Sequence, residues 1–230
     1  VPNADRNNEL PPEETTHALR VLRLQSGDDM FLMDGRGNFY HAEVSLATHK
    51  KCLYHIKETL PQQKTWRGHI HLAIAPTKHI DRMEWLVEKT TEVGFDEITF
   101  LHCAFSERKA LRTDRIEKIV ISAAKQSRKP WIPVVNELES FKTFIQQPRE
   151  GRKFIAHCYE EIEKKDFFDD LMNGSNERIT VLVGPEGDFS IDEVKFAMAQ
   201  GYESVSLGRS RLRTETAGLI AVTMAQISLR

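Results

Sequence analysis

Apolar positions along this chain fall into two textures. From about Val21 to Leu60 they alternate with polar ones in short runs. The run DDMFLMDGRGNFYHAEV alternates around Asp34-Gly35, a dipeptide suited to a hairpin, and KCLYHIKETL alternates in the same way. This pattern predicts a small antiparallel barrel or meander. The polar stretch PQQKTWRG, from Pro61 to Gly68, reads as a linker. Beyond it the period changes. HIHLAIAP is a strand stopped by Pro76, and Met83, Leu86, Val87, Thr90 and Val93 mark one face of a helix closed by Gly94. EITFLHC is a strand. Thr113 reads as the cap of a helix whose face is Ile116, Ile119, Val120 and Ala123, with Pro130 just beyond. KFIAHC and ITVLVG are further short strands, and Ser190 with Glu193 has the spacing of a capping box for a helix that reaches Gln200 and ends at Gly201. YESVSLG is the last strand. Strands and helices in alternation predict a mostly parallel sheet covered on both faces, an α/β unit behind a small β unit.

The stretch LGRSRLRTETAGLIAV, Leu207 to Val222, concentrates charge at one end and apolar residues along the rest. It predicts a basic, glycine-started loop in front of a buried helix. Open parallel sheets bind ligands beyond the carboxyl ends of their strands. Two glycine-bearing loops fall there, VGPEGDFS after ITVL and LGRSRLRTET after YESVS. Glycine permits close backbone approach, and free amides before a helix can hold an anion or a polar ring edge. Neither loop is a Walker A loop or a G-x-G-x-x-G motif. Spacing alone therefore leaves two readings open, a small-molecule site made of backbone or two tight turns.

Composition adds little until charge is resolved along the chain. The 230 residues carry a net charge of −2 and are 40% hydrophobic, as in an ordinary globular protein of one or two domains. Arg108, Lys109, Arg112, Arg115 and Lys118 form a basic cluster, followed by Lys125, Arg128 and Lys129, whereas Glu160, Glu161, Glu163, Asp166, Asp169 and Asp170 form an acidic one. Either cluster also reads as a solvated face. Cys52, Cys103 and Cys158 are odd in number and widely spaced, which predicts neither disulfides nor zinc and points to a reducing cytoplasm. The longest apolar run, near Ala217 to Ile227, is too short to cross a bilayer, and nothing at the start reads as a signal peptide. The first residue is Val1 rather than methionine, so a few residues are expected to precede it.

LVGPEGDFSIDEV, followed by LGRSRLRTETAGLIAV, resembles the RsmE family of 16S ribosomal RNA uracil-N3 methyltransferases, within the SPOUT (trefoil-knot) superfamily. The likeness extends through THALRVLRLQSGD, HIDRMEWLVEKTTEVGFDEI, SERKAL and SAAKQSRKPWIPVV, nearly the whole chain. Asp188 is a departure, standing where many members carry a second glycine. The resemblance implies a PUA-like β-barrel for RNA over residues 1–66, and a knotted, dimerising α/β methyltransferase domain over 67–230. It also implies S-adenosylmethionine bound in three loops, with S-adenosylhomocysteine as product and no metal. Carried over by position, the first loop is Val183, Gly184, Pro185, Glu186 and Gly187, and the last is Leu207, Gly208, Leu212, Arg213 and Ala217. His157, ending KFIA, occupies the remaining loop.

Uracil N3 must lose a proton to attack the methyl of a sulfonium, an in-line displacement helped by positioning and by stabilising anionic character. Arg108, Arg128 and Arg213 are the candidate cations, and Glu215 is the candidate proton acceptor. Arg213 and Glu215 also suit each other as a structural clamp. His157 and Cys158 are adjacent, so on a strand they point to opposite faces, which disfavours a covalent route. The implied partners are 16S ribosomal RNA in the small ribosomal subunit and a second copy of the chain, without a membrane. Arg20, Arg23 and Arg36 are the candidate RNA contacts, and Trp66, Trp85 and Trp131 are candidate stacking residues, of which Trp85 and Trp131 read better as core or interface anchors. An RNA-binding adapter without catalysis, and a methyltransferase acting on another RNA, are the alternative functions.

Overall fold

In a computed structural model, which describes residues 1–174 and 177–230, the chain divides into two compact units. One comprises Val1–Lys64 with Arg128–Ile132, the other Thr65–Ser127 with Pro133–Arg230.

The first unit begins with helix α1 (Pro12–Thr16), which runs into one wide helical turn over His17–Val21. Three strands follow, β1 (Asp29–Met33), β2 (Asn38–Thr48) and β3 (Lys51–Pro61), paired antiparallel in that order. Met30, Leu32, Tyr40, Ala42, Val44, Cys52 and Tyr54 point to one side and bury with Ala4, Leu10 and Ala18. Strand alternation of period two produces this one-sided core. The hairpin forms where Asp34-Gly35 predicts it. The Asp34 carboxylate accepts the amides of Arg36 (2.7 Å) and Asn38 (3.1 Å) and the Tyr40 hydroxyl (3.1 Å). Arg128–Ile132 joins this unit from far along the chain: the Ile132 amide donates to Gly35 O (3.0 Å), and Trp131 covers Gly37, where any Cβ would collide with its ring.

The second unit alternates as the sequence predicts. Its elements are β4 (His69–Ile74), α2 (Ile80–Val93), β5 (Glu97–His102), α3 (Thr113–Gln126), β6 (Val134–Ser140), α4 (Phe141–Gln146) and β7 (Arg152–Ala156), then β8 (Lys165–Asp166), α5 (Phe167–Asn173), β9 (Arg178–Val183), α6 (Ile191–Ala199), β10 (Glu203–Ser206) and α7 (Thr214–Ser228). The strands form one sheet, ordered β6-β5-β4-β9-β7-β10-β8, with every pairing parallel. Ala73, Leu101, Ile155 and Leu182 bury under α4 and α6, through Phe141, Phe144, Val194 and Ala197. The opposite parity of β4 meets α7, where a Cβ on Gly218 would stand 2.9 Å from Ile74 Cδ1.

Three local expectations are corrected. Thr113 is the first residue of α3 rather than its cap, and its hydroxyl donates to Glu137 Oε1 (2.6 Å). Trp66 is no stacking residue: it is buried, with its indole N–H on Asp96 Oδ2 (2.9 Å), so the stretch read as a linker is anchored at that point. The acidic cluster is partly structural, since Asp166 caps α5 and Asp170 pairs with Arg152.

At the N-terminal ends of the strands, a cavity of about 510 Å³ is lined by His69, His71, Glu97, Arg149, Arg178 and Thr180 among others. His71 is buried there against Thr99 Oγ1 (2.8 Å), with Arg149 Nη1 at 3.4 Å and Glu97 Oε2 at 3.6 Å from its Nδ1. Burial, reinforced by the Arg149 charge, pushes its pKa down to about 3. The unfolded chain takes up a proton on this histidine below its ordinary value of 6.5, while the folded chain does not. The stability it permits is complete above pH 6.5 and is lost as pH falls toward 3, by at most about 1.4 kcal/mol per unit. Urea midpoints measured from pH 7 to pH 4 should therefore converge for wild type and His71→Gln, and a gap independent of pH would contradict this.

Candidate active site

Register decides where the candidate loops lie. Ala156 of β7 pairs with Val183 of β9 on one side and Val205 of β10 on the other. Three neighbouring strands therefore end level, and their exits at His157, Gly184 and Leu207 start side by side at the carboxyl edge of the sheet. These are the loops singled out in the sequence, and the structure brings them together.

The loop after β9 is tightly turned. A Cβ on Gly184 would stand 2.9 Å from the Phe189 nitrogen, so only glycine fits, and the Asp188 amide donates to Pro185 O (2.9 Å). Its outer arm holds the loop after β4: Glu186 Oε1 accepts the Lys78 amide (2.9 Å), and the Ala75 amide donates to Val183 O (3.0 Å). Arg108 joins this assembly by donating from Nε to Thr77 O (3.0 Å) and from Nη2 to Lys78 O. The loop after β10 is open instead. Gly208 has φ +116°, a left-handed conformation that favours glycine, and a Cβ there would meet no atom within 4 Å. Ser206 brackets it, accepting the Gly208 amide (3.3 Å) and donating to Gly208 O (3.0 Å). Leu207, Leu212 and Ala217 are half-buried, while Arg209, Arg211 and Arg213 all face solvent.

His157 is buried and committed within the protein. Its Nδ1 accepts the Tyr159 amide (3.2 Å), so Nε2 carries the proton and donates to Ser204 Oγ (2.7 Å). Burial lowers its pKa and keeps the ring neutral. Both ring nitrogens being occupied, what this residue offers a ligand is backbone.

Glu215 stands in the first turn of α7, only 7% exposed. Its Oε1 is 3.8 Å from Arg82 Nε, and its Oε2 has no hydrogen-bond partner among the described residues. The positive end of the helix favours a carboxylate at this position. The clamp to Arg213 is not formed; Arg82 of α2 takes that place. Arg128 belongs to the first unit, in a left-handed conformation (φ +53°). Arg20, Arg23 and Arg36 lie exposed in the first unit, and Val21 and Leu22, between the first two, are 64% and 57% exposed. Sequence reasoning missed Thr77, Lys78, Arg82, Tyr159, Asp188 as a ligand of backbone, and Ser204. The first three carried one usable signal, their place directly after a strand that ends at the site.

The cradle fits an adenosine-bearing cofactor held by backbone: three adjacent loops and one glycine face where a Cβ would meet no atom within 4 Å. Among the described residues no group of three His, Cys, Asp or Glu side chains has metal-ligand geometry, and no helix is long and apolar enough to cross a membrane.

Such an edge, in a chain whose other unit carries exposed arginines, suits an enzyme that modifies RNA, and comparison gives the class directly. Residues 64–226 match the RNA methyltransferase domain family, and residues 10–56 match the RNA methyltransferase PUA domain. A Synechocystis protein named ribosomal RNA small subunit methyltransferase E is 30% identical over 216 residues, covering 91% of this chain and 68% of the relative. The chain belongs to the ribosomal RNA small subunit methyltransferase E family. Among solved structures, a probable rRNA-methyltransferase from Porphyromonas gingivalis superimposes with a TM-score of 0.92 at 41% identity, covering 100% of this chain and 98% of that one. The Neisseria gonorrhoeae ribosomal RNA small subunit methyltransferase E bound to S-adenosyl methionine gives 0.84 at 27%, covering 96% and 92%.

Proposed function

We propose that this chain methylates N3 of a uridine in 16S ribosomal RNA within the small ribosomal subunit, in the cytoplasm, using S-adenosylmethionine. The observation that carries the reading is the level exit of β7, β9 and β10, which sets the three candidate cofactor loops side by side. Bound S-adenosylmethionine supplies a methyl group from its sulfonium centre and leaves as S-adenosylhomocysteine.

The chain's own residues do the rest. Val183 to Gly187 and Leu207 to Gly208 present backbone to the cofactor, with Leu212, Ala217 and the His157 backbone completing the wall. Glu215, buried with one free carboxylate oxygen, accepts the N3 proton. Arg108, fixed by two carbonyls, and Arg213, at the start of α7, stabilise the uracil anion. Arg128 is the third candidate cation for the same uracil anion. Arg20, Arg23 and Arg36 hold phosphates. A second copy of the chain covers the apolar side of α7, formed by the half-buried Leu219, Ile220 and Met224 and the exposed Ile227. Light scattering at micromolar concentration should accordingly give the mass of a dimer.

Gly208→Val tests the cofactor reading. A Cβ at this position meets no atom within 4 Å, so the variant should fold, at a cost of about 1–3 kcal/mol for the left-handed backbone. It should nevertheless lose S-adenosylmethionine binding in titration calorimetry, because the side chain fills the cradle. A folded variant with wild-type affinity contradicts the loop assignment.

RNA binding separates from cofactor binding. Arg20→Ala/Arg23→Ala should weaken RNA affinity regardless of sequence and reduce its salt slope by about two charges' worth, leaving cofactor affinity within about twofold. Arg213→Ala should lower turnover more than RNA affinity. Filter binding across a salt series, beside single-turnover methylation, reads both; an unchanged salt slope would move RNA recognition away from the first unit.

A further inference from the structure

Asp188 stands where the resemblance to the family leads one to expect a second glycine, and its side chain is engaged. Its backbone is left-handed, φ +70°, which explains why glycine suits the position and why, among side chains, aspartate is tolerated there. Its carboxylate is divided between two loops. Oδ1 accepts the amide of Phe189, immediately after it, and Oδ2 accepts the amide of Cys158 (2.8 Å), on the loop after β7. A second tie runs in parallel, the Tyr159 hydroxyl donating to Phe189 O (2.7 Å). No cation is paired with the Asp188 carboxylate among the described residues, so these amides are its recorded partners.

We propose that Asp188 is a positioning residue, an ionic brace that holds the His157–Tyr159 loop on the Val183–Gly187 loop and so orders two walls of the cofactor site before the cofactor arrives. This inference rests on the cofactor reading above. With these loops tied in advance, less conformational freedom is lost when the ligand docks. Hydrogen bonds to an ionised acceptor are about twice as strong as neutral ones, which lets one carboxylate hold a loop of three residues. The brace acts on loop order rather than on the charge of the ligand, so S-adenosylmethionine and S-adenosylhomocysteine benefit alike. It also leaves a mark on a neighbour: the Cys158 thiol is raised by burial and then by the nearby Asp188 carboxylate.

The test uses Asp188→Gly, which restores the residue common in the family, and Asp188→Asn, which keeps an acceptor oxygen and tolerates a left-handed backbone. Calorimetric affinity for both cofactor forms, amide exchange at Cys158 without cofactor, the iodoacetamide reaction of Cys158 at pH 8, and the urea midpoint are measured together. In Asp188→Gly, Cys158 amide exchange should rise at least tenfold and both affinities should fall about fivefold to twentyfold, with the urea midpoint little changed. KM for S-adenosylmethionine should rise while kcat holds. Asp188→Asn should lie between wild type and glycine, and Cys158 should alkylate faster in both variants. Wild-type affinity in Asp188→Gly overturns the proposal, as does a Cys158 amide unprotected in the wild type. If the wild type itself binds no S-adenosylmethionine, the cofactor reading fails instead, and exchange at Cys158 still decides whether the brace exists. Should Asp188→Gly not fold, Asp188→Asn carries the same comparison.

Discussion

The structure depends on a register. Ala156 faces Val183 and Val205 across two parallel ladders, and this alignment makes β9, β7 and β10 end in one row. A one-residue slip in either ladder would move each side chain to the opposite face of the sheet. Phe154 and Ile155 are fully buried on opposite faces, as are Val181 and Leu182, so both faces resist such a slip. The hydrophobic core therefore sets the site's geometry before any functional residue takes part.

On that row the loops are stiffened in different ways. After β7, His157 is held through both ring nitrogens, by Ser204 of a neighbouring strand and by the Tyr159 amide. After β9, a turn closed on Pro185 O is fastened outward by Glu186 to the Lys78 amide. After β10, by contrast, only the Ser206 hydroxyl brackets a glycine whose outer side is empty. Two walls are fixed and one has room to settle onto what it holds. A buried neutral histidine between two such partners also explains why acidification would loosen this edge, since protonating it removes the acceptor for Tyr159.

The elements legible in the sequence were those with strong local signals: apolar runs ended by Pro76, Gly94 and Gly201, and a capping box at Ser190 and Glu193 that forms with both of its hydrogen bonds. Strand β6 escaped because it is an edge strand without a clean alternation of buried and exposed positions, and α4 because six residues hold too few turns to show a period. Trp66 looked like part of a linker because its partner, Asp96, lies thirty residues away. Arg128 lies in one basic stretch with Arg108, but spacing did not show that its segment packs with the hairpin, through Ile132 on Gly35 and Trp131 on Gly37. Of the site, glycines and charges were legible by type and place. The partners of His157, Glu215 and Asp188 were not, since each is set by tertiary proximity rather than by spacing.

Those partners separate two kinds of residue. The ones that fix the site, His157, Asp188 and Ser204, have their polar atoms bonded inside the protein, where an unmet hydrogen bond would cost about 1–3 kcal/mol. The arginines Arg20, Arg23, Arg209 and Arg211 are instead exposed. Glu215 belongs to neither group. It is buried, only distantly paired with Arg82, and keeps one carboxylate oxygen unmet at the helix start that Arg213 caps from the solvent side. An unmet acceptor is costly in a core and useful where a proton must be taken up. The first turn of α7 therefore carries the least settled polar group of the site, a buried carboxylate two residues from an exposed arginine.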